Sequence, residues 1–417
     1  MSEPRAIVGI DLGTTHTVVA YVRLDVPPSS EEAKPRIFPI EQLVAPGEIE
    51  AKPLLQSLRY HPAEGELGEG AMTLPWEVPH LGDTSSSERA ASSSSYITGE
   101  LARVLGTRVP GRLVASAKSW LSHAGVDRSA AILPWGAPDG IGKVSPVVAS
   151  ASYLAHVHAA WNARFSGKGA PSMPLAEQEI VLTIPASFDE GARAYTLEAA
   201  RLAGLPRVRL VEEPQAAFYD WLGRAPDVAQ VASEVKLALV IDVGGGTTDL
   251  TFIRIEPRAS ETSAMRLSRI AVGDHLMLGG DNMDLLLARE AEGQLGGKLP
   301  SARFTQLVQQ CRDVKERLLG VNPPENARVT VLGSGSKLVQ SALSAELTQS
   351  YVHERIVNGF FPEVDISARP QRRASAIVEF GLPYVADAAI TKHVAAFIAR
   401  HQSVAREAIG EGLIEGL

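Results

Sequence analysis

An α/β fold in two lobes is what this 417-residue sequence predicts, and three observations carry it. The length exceeds what one hydrophobic core supports, so two domains of about 200 residues are expected. Apolar strand patterns are followed by helical patterns in both halves. One kind of turn also occurs twice, an apolar strand that ends in aspartate and runs into glycine and threonine. The first copy is Ile7-Val8-Gly9-Ile10-Asp11-Leu12-Gly13-Thr14-Thr15, and the second is Leu239-Val240-Ile241-Asp242-Val243-Gly244-Gly245-Gly246-Thr247-Thr248-Asp249. One copy could be chance; two suggest related half-sites facing one nucleotide phosphate chain.

In chain order, residues 5–23 read as a hairpin, with Ile7, Val8 and Ile10 leading into the turn and Val18, Val19, Tyr21 and Val22 leading out. Residues 24–97 read as a loop-rich excursion able to add short strands, with a serine-rich mobile stretch near 83–95. Helical periodicity is expected at 98–106, 111–122 and 146–165. A strand over 179–184 stops at Pro185, and a helix over 189–203 ends at Gly204. A strand at 208–211 precedes a helix opened by Pro214. Residues 226–235 read as a polar connector. Strands are then expected at 236–241, 250–255 and 266–272, a glycine turn at 279–280, helices at 282–295 and 302–319, and a strand at 329–332. Gly333-Ser334-Gly335-Ser336 reads as a hairpin turn, and 346–357 and 391–409 as helical. The lobes are expected at 1–228 and 229–417.

Composition narrows the class. Net charge is −8, which argues against a general affinity for nucleic acid or an anionic membrane. No apolar run reaches the roughly 18 residues that span a bilayer. A strand pattern begins so near the N-terminus that no signal peptide is expected, and a cytoplasmic protein is. The single cysteine, Cys311, excludes an internal disulfide framework and falls on an apolar helical face with Phe304, Leu307 and Val308.

The turns have the chemistry of phosphate binding. Glycine lets backbone N–H groups converge on phosphate oxygens, and Gly13, Gly244, Gly245 and Gly246 supply it. Thr14, Thr15, Thr247 and Thr248 add hydroxyls. Carboxylates repel phosphate, so Asp11, Asp242 and Asp249 make sense if a hard divalent cation lies between, held through water. The competing reading is an aspartate-capped β-turn with no ligand. No G-x-x-x-x-G-K-[ST] loop is present, nor a G-x-G-x-x-G after the first strand.

With these motifs in order, the chain resembles the ATPase domain of the heat-shock 70 kDa (DnaK-type) chaperone family, within the actin and sugar-kinase superfamily. The resemblance rests on Asp11 to Thr15, Thr183-Ile184-Pro185-Ala186-Ser187-Phe188, Arg193, Ala199 to Leu205, Glu212-Glu213-Pro214-Gln215-Ala216-Ala217, Asp242 to Asp249, Gly273-Asp274, and Leu278-Gly279-Gly280-Asp281-Asn282-Met283-Asp284. It implies an actin-like ATPase fold of duplicated ribonuclease-H-like domains with a cleft between lobes. It also implies ATP or ADP with Mg²⁺, and K⁺ as a further cation. Lys118 falls at the family's catalytic lysine, although read alone it is a solvated surface lysine. Glu213 falls at a water-positioning glutamate, and Thr247 at a threonine near the γ-phosphate. Asp11, Asp242 and Asp249 are implied to hold Mg²⁺ through water, Gly279, Gly280 and Lys315 to contact nucleotide, and Pro185 and Arg193 to form an interlobe relay. On sequence alone Pro185 is a strand stop. J-domain and nucleotide-exchange co-chaperones are implied partners.

The departures lie on the adenosine side. The family's helix pattern becomes Arg312, Lys315, Glu316 and Leu319, which retains only the lysine. Arg312 and Glu316 read either as a charge-swapped pair or as an exposed helix face. The second adenosine turn, the linker and the peptide-binding domain find no counterpart, so a truncated, divergent bacterial member is expected, with no peptide clamp in this chain. A sugar-kinase-like phosphotransferase and a non-hydrolysing nucleotide sensor or filament subunit stand as alternatives.

Overall fold

The computed structural model describes residues 3–410 apart from 82–95, 124, 166–171, 226–227, 261–262, 333–341, 372–376 and 380–381. The chain divides into two compact units. The first comprises Met1–Ile184, Phe188–Val211 and Phe380–Leu382, and the second Pro185–Ser187, Glu212–Glu379 and Pro383–Leu417.

The first unit is built on β1 (Ala6–Leu12) and β2 (His16–Arg23), an antiparallel hairpin at the expected place. A six-stranded sheet grows from it in the order β11-β10-β1-β2-β3, with β6 also on β2. Here β3 is Arg36–Ile37, β6 Leu55–Gln56, β10 Glu179–Ile184 and β11 Val208–Glu212. β1 alternates inward Ala6, Val8, Ile10 and Leu12 with outward residues, so one face of the sheet is apolar. That face is covered by aromatic packing. Trp161 lies 5.2 Å from Tyr21 and 5.1 Å from Phe38, between ring centroids.

Trp161 belongs to α3 (Pro146–Phe165), whose small residues Ala149, Ser150, Ala151 and Ser152 are buried where it packs on neighbouring helices. One neighbour is α4 (Glu190–Leu202). Asp189 caps it by accepting the Ala192 N–H at 2.6 Å, and Gly204 ends it at φ +80°.

The 24–97 excursion is more organised than its composition suggests. It contains the hairpin β4 (Ile40–Ala45) and β5 (Glu48–Lys52), and its β7 (Arg59–Tyr60) pairs with both β8 (Ile97–Thr98) and β9 (Leu113–Val114), the latter from beyond the excursion. Leu43, Leu58, Tyr60 and Ile97 pack with Leu101 and Leu105 of α1 (Glu100–Arg108) into a separate small core. The expected helix at 111–122 is a correction. Leu113 and Val114 pair with β7, and only α2 (Ala117–Leu121) is α-helical. The serine-rich stretch falls outside the described residues.

The second unit centres on an antiparallel sheet, β12 (Leu237–Val243), β13 (Thr248–Ser260) and β14 (Ser263–Val272). Alternation along β13 sends Ile253 and Ile255 to one face, where Phe218 and Leu222 of α5 (Glu213–Arg224) pack. Leu250 and Phe252 face the opposite side, against Phe397 of α10 (Ile390–Arg400) and Ala405 of α11 (Gln402–Ile409). Of the expected polar connector, Val228–Glu234 is helical (α6), because Val231 gives it an apolar edge that packs on this sheet.

Helices α7 (Gly280–Gln294) and α8 (Ser301–Leu318) follow, then the hairpin β15 (Asn326–Leu332) and β16 (Ala342–Thr348). Residues 333–336 lie outside the described residues. The helix expected over 346–357 begins later, because Glu346–Thr348 pair with β15. Its helical part is α9 (Gln349–His353) and a π turn at Glu354–Asn358. Cys311 is fully buried as expected, and burial pushes its thiol up to about 12.

Candidate functional site

The two aspartate-glycine turns close in the same way. The β1–β2 register ends at Leu12 opposite Thr17, and the β12–β13 register at Val243 opposite Thr248, leaving loops at 13–16 and 244–247. The Gly13 N–H donates to the His16 carbonyl at 3.0 Å, and the Gly244 N–H to the Thr247 carbonyl at 2.8 Å. The N–H groups of Thr14, Thr15, Gly245 and Gly246 take no hydrogen-bond partner among the described residues. Consecutive unpaired N–H groups in a turn form a concavity suited to an anion.

The hairpin frame matches Asp11 with Asp242, Gly13 with Gly244, and Thr17 with Thr248. Thr17 escaped the sequence reading because register is a property of pairing. It is fully buried and shares a 3.0 Å hydrogen bond with Ser57. Thr248 is equally buried and donates to the Leu278 carbonyl at 2.7 Å. That hydroxyl proton is committed inside the protein, which argues against the phosphate contact expected of it.

Around the first loop, the parallel partner strand β10 places Thr183 beside Asp11, and its hydroxyl donates to the carboxylate at 2.7 Å. A side chain on Gly13 would meet the His16 carbonyl oxygen at 2.4 Å, so only glycine fits this close approach. Lys118 lies on α2 in the same unit and is 9% exposed, which overturns the solvated-surface reading. Arg193 lies on α4, where its Nε–H donates to the Phe188 carbonyl at 3.3 Å. Pro185 belongs to the three-residue stretch grouped with the second unit.

The second loop rests on the start of α7. Gly280 N–H donates to the Gly244 carbonyl at 3.0 Å and Asp281 N–H to the Gly245 carbonyl at 2.6 Å. A Cβ on Gly279 would stand 2.5 Å from the Gly244 carbonyl oxygen. Gly279 and Gly280, expected at the nucleotide, are therefore also the seat of the loop itself.

Behind them is a buried ion network. Arg312 reaches Asp284 at 2.7 Å and Asp281 at 2.5 Å, and Lys315 reaches Asp284 at 2.6 Å. The Lys315 ammonium also donates to the Gly280 carbonyl at 3.3 Å. Asp284 is fully buried, Asp281 nearly so. Burial disfavours the Arg312 cation, yet the two aspartates hold its pKa above the ordinary value. The exposed-face reading of Arg312 is thus wrong, and its ion-pair partners lie on α7. Glu316 is exposed, as the exposed-face reading expects, and partial desolvation raises its pKa. Leu319 caps α8.

Asp249 stands directly opposite Asp242 in the hairpin and is 3% exposed. The Ser187 hydroxyl donates to it, and Ser187 lies 2.7 Å from Nδ1 of His275. Glu213 is the first residue of α5, and its neighbour Glu212 pairs with Arg269.

Among the described residues, no three acidic, histidine or cysteine side chains gather into a group able to hold a metal ion. Asp11 and Asp242 occupy equivalent positions in the two hairpins, and each is a hard oxygen donor of the type that takes Mg²⁺ through its water shell. No described helix is long and apolar enough to cross a membrane.

Comparison with known proteins matches residues 172–322 to a family model described as Hsp70 protein. The chain is 30% identical over 319 residues to the chaperone protein HscA homolog of Pseudomonas paraeruginosa, covering 76% of this chain and 42% of that protein. It is 28% identical over 342 residues to the HscA homolog of Photobacterium profundum, covering 79% and 44%. Against the chaperone protein HscA of Photorhabdus laumondii the identity is 27% over 359 residues, covering 82% and 47%. The chain thus spans less than half the length of the relatives it matches.

Proposed function

Because the chain is a divergent bacterial member of the Hsp70 family, we propose that it binds ATP with Mg²⁺ and hydrolyses it slowly, as the nucleotide-binding part of a chaperone. The observation that carries this reading is the pair of hairpin loops with one closing hydrogen bond each and unpartnered N–H groups at Thr14, Thr15, Gly245 and Gly246. Hydrogen-bond donors fixed before the ligand arrives need no reorganisation when phosphate charge develops.

Each residue then has a role. The four N–H groups receive phosphate oxygens, aided by the Thr14, Thr15 and Thr247 hydroxyls. Asp11 and Asp242 accept hydrogen bonds from water around the cation, with Asp249 in support. Lys118 stabilises charge on the transferring phosphoryl group, and Glu213 orients the attacking water. When bound, Mg²⁺ neutralises charge on the phosphate oxygens. Pro185 and Arg193 transmit nucleotide state, and J-domain and exchange-factor proteins are the partners the family implies. A cytoplasmic location follows the same resemblance.

ATP turnover of the wild-type chain, Lys118→Ala and Asp242→Asn tests the assignment. Loss of one charge-stabilising group is expected to slow turnover about 100-fold or more. Equal rates in all three would sink it. Turnover stimulated by a sugar would favour the kinase reading instead, and nucleotide binding without turnover a sensor.

A further inference from the structure

We propose that Ser187 and His275 are positioning residues for Asp249, and that together they set the carboxylate beside Asp242 for the nucleotide chemistry. The inference rests on the ATPase reading above.

The direction of the hydrogen bonds gives the role. Ser187 has one hydroxyl proton, and it goes to Asp249. Toward His275, 2.7 Å away, the serine oxygen can then only accept. His275 must therefore carry its proton on Nδ1, and the chain runs from His275 Nδ1–H to Ser187 Oγ–H to Asp249 Oδ1. A serine nucleophile needs the opposite order, with histidine taking the serine proton. The cluster is thus no hydrolytic triad, although it contains the same three residue types.

The surroundings keep these groups in place. The loop carrying His275 is tied to the hairpin on both sides of Asp249. Thr248 N–H donates to the Leu276 carbonyl at 2.9 Å, the Thr248 hydroxyl to the Leu278 carbonyl at 2.7 Å, and Gly273 N–H to the Leu250 carbonyl at 2.8 Å. Asp249 is nearly inaccessible and faces a second carboxylate across the hairpin, where like charges repel. A hydroxyl donor offsets that repulsion and fixes the side-chain rotamer. The first hairpin has a counterpart, since Thr183 donates to Asp11 at 2.7 Å. One short stretch of chain, residues 183–187, therefore supplies a hydroxyl to an aspartate of each hairpin.

Two measurements on the full chain test the proposal. Nitrogen NMR of ¹⁵N-histidine-labelled protein should show His275 protonated at Nδ1, and Ser187→Ala should shift that resonance. In ATP turnover, Ser187→Ala and His275→Leu should each lower kcat about tenfold and raise the Mg²⁺ needed for half-maximal rate by about the same factor. Ser187→Thr, which keeps the hydroxyl, should restore both. So should His275→Asn, whose amide places a donor near Nδ1. Wild-type turnover and Mg²⁺ dependence in Ser187→Ala, or a neutral His275 protonated on Nε2, would overturn the positioning role and leave the ATPase reading standing. A wild-type chain that neither binds nor hydrolyses ATP would overturn both.

Discussion

The two aspartate-glycine hairpins share a backbone and differ in what supports it. Each has an aspartate one residue before the end of its first strand, a loop closed by a glycine N–H, and a buried threonine near the start of the return strand. The first is braced by side-chain hydroxyls, Thr17 with Ser57 and Thr183 with Asp11. The second is seated on a helix start, and behind that start lies a buried network of two aspartates and two cations. The backbone device is local and cheap to specify. Its support is tertiary, and each unit solves it with what is nearby.

The largest effect is expected at the network. Arg312→Met takes a cation away from both Asp281 and Asp284. Removing one partner of a buried ion cluster costs about 3–5 kcal/mol. Chemical denaturation should show that loss, and an unchanged midpoint would mean that the second hairpin does not depend on the ions behind it.

Glycine replacement gives the next contrast. Alanine at Gly13 would stand 2.4 Å from the His16 carbonyl oxygen, and at Gly279 2.5 Å from the Gly244 carbonyl oxygen, whereas at Gly244 its nearest neighbour is at 3.4 Å. Gly13→Ala and Gly279→Ala should each weaken ATP binding about tenfold, a loss of about 1.4 kcal/mol. Gly244→Ala should stay within about twofold by the same arithmetic. Equal losses at Gly13 and Gly244 would break the comparison.

Acid should act on the first unit. Burial holds His156 down to about 4, and burial with Arg59 and Arg112 nearby holds His61 down to about 3. Both are therefore neutral in the folded chain at neutral pH. In the unfolded chain they titrate near about 6.5, so that state binds more protons below this pH. Their stabilisation is whole above about pH 6.5 and is lost as pH falls toward the folded values. Melting midpoints from pH 7.5 down to 5 should fall, and His156→Gln should make the slope shallower. An unaltered slope would remove His156 from the account.

The sequence made much of this legible because the strongest signals are local. An apolar strand, an aspartate and a run of glycines suffice to place both hairpins, and Asp189 with Gly204 bracket α4. What it hid depends on pairing at a distance. Arg312 finds its partners on another helix, 28 and 31 residues back, so its own helix gave no hint of burial. Thr17 becomes the counterpart of Thr248 only through strand register. Leu113 and Val114 join a sheet because β7 offers them an edge, which helical periodicity cannot anticipate.

The proposed function has the two hairpins serve a single ATP. Isothermal titration of Mg·ATP into the wild-type chain, Asp11→Asn and Asp242→Asn tests it most directly. The account predicts one ATP per chain for wild type and a comparable loss of affinity in both variants. Two sites per chain, or one variant that binds like wild type, would contradict it.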